Sequence, residues 1–334
     1  MDSREKAAVA AGTSARTSPQ TPTQTPVPAS GGVPSDAAAP LPGAPITLAP
    51  GLVRILAPNA SPMTYWGTNT YLLGQGDLAV IDPGPNDPGH LEAILAAVPD
   101  GARISHIIVT HAHLDHSPLA RPLANACGAP VLAFGKADAG RSAVMQRLAA
   151  SGFAGGGEGL DHDFRPDESV VDGQVIAGDG WDLRVHHTPG HMGNHICLGW
   201  GDALFSGDHV MGWASSLVSP PDGDLSDFMA SCVALQAREW QVFFPGHGAA
   251  VPDPMARLNW LINHRKTREA AILQALTDGP AGASELAARL YTDVPAALLP
   301  AAARNVFAHL IDLYGKNTVA PVKALAFDQS FRLI

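Results

Sequence analysis

The chain has 334 residues, of which 46% are hydrophobic, and a formal net charge of −10 at neutral pH. That length can bury one large core and a smaller one, no apolar run reaches the roughly 20 residues that span a bilayer, and the acidic balance argues against a broad nonspecific nucleic-acid surface. The three cysteines, Cys127, Cys197 and Cys232, cannot all pair and none stands in a C-x-x-C spacing, which disfavours a disulfide framework or a thiolate metal cluster and points to a cytoplasmic, reducing setting.

Residues 1–45 are dominated by Pro, Thr, Ser, Ala and Gly, with too little apolar surface to offset the entropy of ordering, so a disordered tail is expected. From Ile46 onward, "ITLAPGLVRILA", "TNTYLLG", "LAVIDPG", "ISHIIVTH" and "PVLAFG" read as strands, with helical patterns around Leu91–Val98 and Pro118–Ala126. A second β-rich series follows in "ESVV", "QVIA", "WDLRVHHTP", "NHICLGW" and "ALFSGDHV", then a helix around Leu225–Arg238 and a last strand at "VFFPG". Two successive halves of strands with interleaved helices predict an α/β fold of two sheets packed face to face, helices outside, over residues 46–255. Residues 256–334 carry helical spacing around Ile272, Leu273 and Leu276, helices near Ser284–Leu290 and Ala301–Leu313, and a turn at Gly315 into "TVAPV". Three helices and a terminal hairpin suggest a winged helix.

The chemistry concentrates in "IVTHAHLDHS". An apolar strand ends at Thr110 and His111, Ala112, His113, Leu114, Asp115 and His116 turn out of it. In extended chain His111 and His113 point to one side, so both rings can converge on one ion; Asp115 and His116, in the turn, can serve a second. One loop cannot close two coordination shells, so further ligands are expected at later strand ends. His191 in "TPGHMGNH", Asp208 in "FSGDHV" and His247 in "FFPGHG" occupy such positions, and the Asp208 carboxylate can bridge two cations through its two oxygens. Nitrogen and oxygen donors of this kind suit Zn2+, two per chain, with iron or manganese as alternatives.

H-x-H-x-D-H followed by a lone His, Asp and His resembles the metallo-β-lactamase superfamily, over roughly Ile46–Met255. The resemblance implies an αββα sandwich in which His111, His113 and His191 hold one metal, Asp115, His116 and His247 the other, and Asp208 bridges them. It also implies that Asp82 in "VIDPG" supports the histidines by hydrogen bonds, where the residue pattern alone gives a turn ahead of Pro83-Gly84. His113 stands where flavodiiron proteins carry Glu, Asp208 where several true β-lactamases carry Cys, and the stretch from Asp208 to His247 is too short for the inserted domain of the RNA-cleaving β-CASP branch. With "GTNTYLLG" and the C-terminal segment, the chain is similar to the lactamase-β-2-like branch, whose metallo-β-lactamase domain precedes a winged-helix-like one.

That branch implies a metal-dependent hydrolase using a metal-bridging hydroxide. Asp115 and Asp208 are expected to orient the hydroxide and carry its proton. His195 and His209 are candidates for contacting developing charge or the leaving group, or else structural histidines. Asn69 is a candidate donor into the site or a turn cap. Acyl thioester or ester hydrolysis, on a small-molecule or acyl-carrier substrate, is the first reading. Cleavage of single-stranded RNA is the second, with His264, Arg265, Lys266 and Arg268 as a basic track or, more simply, a solvated helix face. From Arg265 onward eight basic residues face six acidic ones, which is weak for nucleic-acid binding. A cap over the site or a homodimer contact is the expected role of the C-terminal part. A regulator on a dead hydrolase fold would lack ligands, and none is missing.

Overall fold

A computed structural model of the chain describes residues 39–156 and 159–334. The tail expected over residues 1–45 lies outside the described residues as far as 38, and β1 begins at Pro45. Strands β1 (Pro45–Ala49), β2 (Leu52–Leu56), β3 (Asn69–Leu73) and β4 (Asp77–Ile81) form an antiparallel meander. Strands β5 (Arg103–Ile108), β6 (Val131–Ala133) and β7 (Glu168–Ser169) extend it in parallel, completing a seven-stranded sheet in chain order. Parallel neighbours need crossovers, supplied by helices α1 (Pro88–Ala96), α2 (Ala120–Cys127) and α3 (Ala143–Ala150).

The second sheet has five strands in the order β12-β11-β10-β9-β8. Its members are β8 (Val175–Gly178), β9 (Trp181–His187), β10 (Ile196–Trp200), β11 (Ala203–Gly207) and β12 (Val242–Pro245), the last parallel to β11 across helix α4 (Leu225–Leu235). The two sheets bury a shared layer that includes Leu73, Ile81, Ile108, Leu183, Leu198, Phe205 and Phe244. Helices α1 and α2 cover the outer face of the first sheet, α4 and the long α5 (Pro254–Leu276) that of the second. This is the αββα sandwich that the strand pattern predicts. Burial on both faces explains why β10 and β11 read as continuous apolar runs rather than as alternations.

After α5 come β13 (Ala281–Gly282), α6 (Ala283–Leu290), a 3-10 turn at Ala296–Leu298, α7 (Leu299–Gly315), β14 (Val319–Pro321) and β15 (Ser330–Leu333). The short strands pair as β13-β15-β14 beside the helices, which makes the winged helix. Two features depart from the sequence expectation. Helix α3 was not anticipated, although Ser142 caps it by accepting from the Met145 N–H. It leaves the sandwich and packs Met145 and Leu148 into the C-terminal core with Val306, Phe307 and Phe331. Helix α5, expected only near Ile272–Leu276, starts at Pro254 behind the Asp253 cap and runs unbroken through the expected junction at 255/256.

Phe205 meets Tyr71 edge-on at 5.1 Å and Phe244 at 5.5 Å between the sheets. Phe205→Ala is expected to lower stability by about 3–5 kcal/mol, read as a fall in the denaturant midpoint with an unchanged slope.

Candidate metal centre

Every residue singled out for metal binding lies in a connection that leaves a strand. The chain leaving β5 carries His111, His113, Asp115 and His116; the turn between β9 and β10 carries His191; β11 runs into Asp208 and β12 into His247. All seven side chains are buried at one end of the sandwich. Two tight approaches make this convergence depend on glycine. A Cβ at Gly246 would lie 2.3 Å from Asp208 Oδ1, and one at Gly207, where φ is +48°, would lie 2.6 Å from His195 Nε2.

The seven form two adjoining groups. His111 Nε2 is 3.0 Å from His113 Nδ1, which is 3.1 Å from His191 Nε2. Beside them His247 Nε2 lies 3.1 Å from Asp115 Oδ2 and 3.3 Å from His116 Nε2. Asp208 stands between, with Oδ2 3.2 Å from His247 Nε2, 3.7 Å from His191 Nε2 and 4.0 Å from His111 Nε2, and Oδ1 3.5 Å from His116 Nε2. Each group could hold a metal ion.

The donor chemistry fits a cation in each. Burial, then the neighbouring imidazoles, holds His111 well below the ordinary histidine range, and burial followed by His191 brings His113 down to about 3, so the first trio is neutral and offers lone pairs. In the second group burial pushes the carboxyls up, yet His116 and His247 hold both Asp115 and Asp208 below the carboxylate range. Against the same burial, the two carboxylates raise His116, and Asp208 above all raises His247 to about 10. Both oxygens of Asp115 and Oδ1 of Asp208 are buried without a hydrogen-bond donor. Ring nitrogens that face one another beside undonated carboxylate oxygens are what a ligand set looks like when a shared positive centre would satisfy all of them.

Around these groups the other sequence candidates take distinct places. Asp82 accepts the Thr110 N–H at 2.7 Å and hydroxyl at 2.8 Å and lies 3.0 Å from His116 Nδ1, which leaves His116 Nε2 turned inward. Asn69 donates to the carbonyls of Pro245 and Gly248, pinning the turn that carries His247, while His247 Nδ1 donates to Gly67 O at 3.2 Å. His195 accepts the Asp208 backbone N–H at 3.1 Å, and His209 packs behind Asp208 against Phe228 and Cys232. Neither His195 nor His209 lines the open cleft beside Asp115, Asp208 and His247.

The basic cluster on α5 is not a solvated face. His264 and Arg265 are buried, Arg268 is half-buried over the Tyr291 ring at 4.3 Å, and Lys266 alone of the four is exposed. Arg265 falls in the apolar stripe of Leu258, Leu261, Ile262, Ile272 and Leu276, and that spacing was the available signal of its burial. Its guanidinium donates to Ser216 O and to Asn305 Oδ1. Asn305 Oδ1 also accepts the Val218 N–H at 3.0 Å, and Arg257 donates to the carbonyls of Met211 and Ala214. The loop so clamped presents Leu217 O to His191 Nδ1 at 2.7 Å, which turns Nε2 of that ring toward His113. Nothing in the sequence pattern singles out Leu217 or Asn305.

Residues 63–271 match the profile described as Metallo-beta-lactamase superfamily, and residues 283–322 match the Beta-lactamase associated winged helix domain. The chain is 33% identical over 277 residues to the Beta-lactamase-like protein 2 homolog of Drosophila melanogaster, covering 80% of this chain and 88% of that protein. It is 30% identical over 233 residues to an Atrochrysone carboxyl ACP thioesterase of Aspergillus terreus, covering 69% of this chain and 64% of that one. A beta-lactamase domain protein from Burkholderia ambifaria shares the fold at a TM-score of 0.73 and 20% identity, over 89% of this chain and 96% of that one.

Asp82→Ala is expected to weaken the metal affinity of the Asp115, His116, Asp208 and His247 group about 10- to 100-fold, measured by competition with a chromophoric chelator.

Proposed function

Because the chain belongs to the metallo-beta-lactamase superfamily, we propose that this hydrolase cleaves acyl thioesters, or esters, at a pair of metal ions. His111, His113 and His191 would hold one ion, Asp115, His116 and His247 the other, with Asp208 shared between them. The donor set supports zinc, with iron or manganese as alternatives. The observation that carries the reading is the Asp208 carboxylate, within 4.0 Å of a ring nitrogen from both groups at the floor of an open cleft. When bound, the ions supply Lewis acidity and make water a nucleophile near neutral pH.

The chain's own residues hold the geometry and move the proton. Asp115 lines the cleft and its Oδ1 has no donor, so it would accept a proton from the attacking water. Asp208 would keep the two ligand groups in register. Asp82, Asn69, His195 and Leu217 fix the rings and carboxylates from behind. An acyl substrate is supported by the cleft itself, whose walls are mostly apolar and in which, among the described residues, Arg268 is the single Lys or Arg. A strand of RNA calls for a basic or aromatic track, and the α5 cluster does not provide one, since Arg265 is committed to Ser216 and Asn305. The fungal relatives named as thioesterases support the same direction. A reducing, cytoplasmic setting is supported by three unpaired thiols.

The test pairs metal analysis with turnover of an acyl thioester and a labelled single-stranded RNA. Two metal equivalents and thioester cleavage are expected, with turnover in Asp208→Ala down by more than about a hundredfold, beyond the scale of outer partners. RNA cleavage in place of thioester cleavage overturns the reading.

A further inference from the structure

The cleft over Asp115, Asp208 and His247 is lined by both domains and has a cavity volume of about 210 Å³. Like small-molecule sites in general, it is concave and mostly apolar, with a few placed polar groups. One wall comes from the sandwich, with Met63, Met211 and Leu217; the other comes from the winged helix, with Val294, Leu298 and Ala301. The second wall is unusual in its packing. The winged-helix core is made of residues such as Leu286, Leu310 and Phe331, and none of Val294, Leu298 and Ala301 belongs to it. The 3-10 turn Ala296–Leu298 contributes no buried residue at all.

Apolar side chains that the core does not use therefore stand half-exposed along a cavity whose floor is the candidate metal centre. The basic side chains in the same lining, Arg268 and His264, do not replace that character. Arg268 is engaged with the Tyr291 ring and with Leu290 O, and burial, reinforced by Arg265, brings the His264 imidazole down to about 3, so it carries no charge at neutral pH.

We infer that the winged-helix domain supplies the acyl-chain subsite, and that Val294, Leu298 and Ala301 set the length and bulk of the hydrocarbon acyl group the enzyme accepts. The inference rests on the thioester reading and adds to it a substrate class and the residues that select it. With the thioester carbonyl at the floor, the chain extends toward α7 and the 3-10 turn, and each methylene buried there is worth about fourfold in affinity. Leu298 and Val294 narrow the cleft when enlarged and lengthen it when truncated.

The experiment uses the purified metal-loaded protein. Dissociation constants are measured calorimetrically for non-hydrolysable S-ethyl and S-octyl pantetheine thioethers, alongside KM for acetyl and octanoyl pantetheine. Leu298→Trp and Val294→Phe are expected to lower the preference for octyl over ethyl about tenfold or more, and Leu298→Ala to raise the preference for still longer chains. Opposite shifts from enlargement and truncation cannot come from partial misfolding. If the wild type cleaves thioesters but all three variants keep its length profile, the inference is overturned and the hydrolase reading stands. If the wild type neither binds a thioether nor cleaves a thioester of any length, both fall.

Discussion

The Asp208 carboxylate is buried within 4.0 Å of ring nitrogens from His111, His116, His191 and His247, and that arrangement is unbalanced as it stands. Imidazole nitrogens face one another at 3.0–3.3 Å, and three carboxylate oxygens lack donors. Buried polar groups without partners are costly, and a rearranging loop would relieve that cost by turning the side chains out to water. The sandwich prevents this. Each donor sits in a connection leaving a strand of the sandwich, and those strands are locked between a sheet and a helical layer. Where the chain must pass closest, at Gly207 and Gly246, no Cβ is tolerated. The framework thus holds the donors around one point, as a preorganised metal site requires.

Holding the donors near one another is not enough, because each imidazole has two nitrogens and must present one of them. His116 is turned by Asp82, His191 by Leu217 O and His247 by Gly67 O. The Leu217 clamp reaches into the second domain. Arg265 is a buried cation with no carboxylate partner among the described residues; it lies over the Phe228 ring at 5.2 Å and donates through its terminal nitrogens to Ser216 O and Asn305 Oδ1, leaving Nε without an acceptor. Such a group is a poor source of stability. Its worth is positional, since Ser216 adjoins Leu217 and Asn305 lies on α7. Together with Met145 and Leu148 of α3, which lie in the C-terminal core, it makes the winged helix part of the site's scaffold.

This division of labour explains what the sequence disclosed. The loop from His111 to His116, the later His191, Asp208 and His247, the strand order and the terminal hairpin were all legible, because metal donors and strand punctuation are coded by residue type and spacing within short windows. Asp82 was legible only through the family resemblance, since alone it reads as a turn residue. Leu217 acts through a backbone carbonyl, which every residue possesses, so no side-chain pattern marks it. Arg265 carries a charge that suggests a solvated face, yet at the helical spacing of Leu258, Leu261 and Ile262 it is an interior position whatever its side chain. Helix α3 has little signature in the sequence beyond Ser142 at its start, because its Met145 and Leu148 face a core assembled from a segment more than a hundred residues later.

The cleft's chemistry also bears on which bond can break. An alkoxide leaving group needs a proton, whereas a thiolate, whose conjugate acid has a pKa near 8.5, departs without one. Among the described residues, the imidazole that lines the cleft beyond the two ligand groups is His264, and it is held neutral with a pKa of about 3, too low to donate at neutral pH. His195 and His209 are sealed behind Asp208. A site with two carboxylates to receive a proton and, outside the two ligand groups, no charged imidazole to return one is suited to a substrate whose leaving group asks for none. In the proposed reading, then, the apolar walls and the missing acid select for the same thing: a hydrocarbon acyl group carried on sulfur.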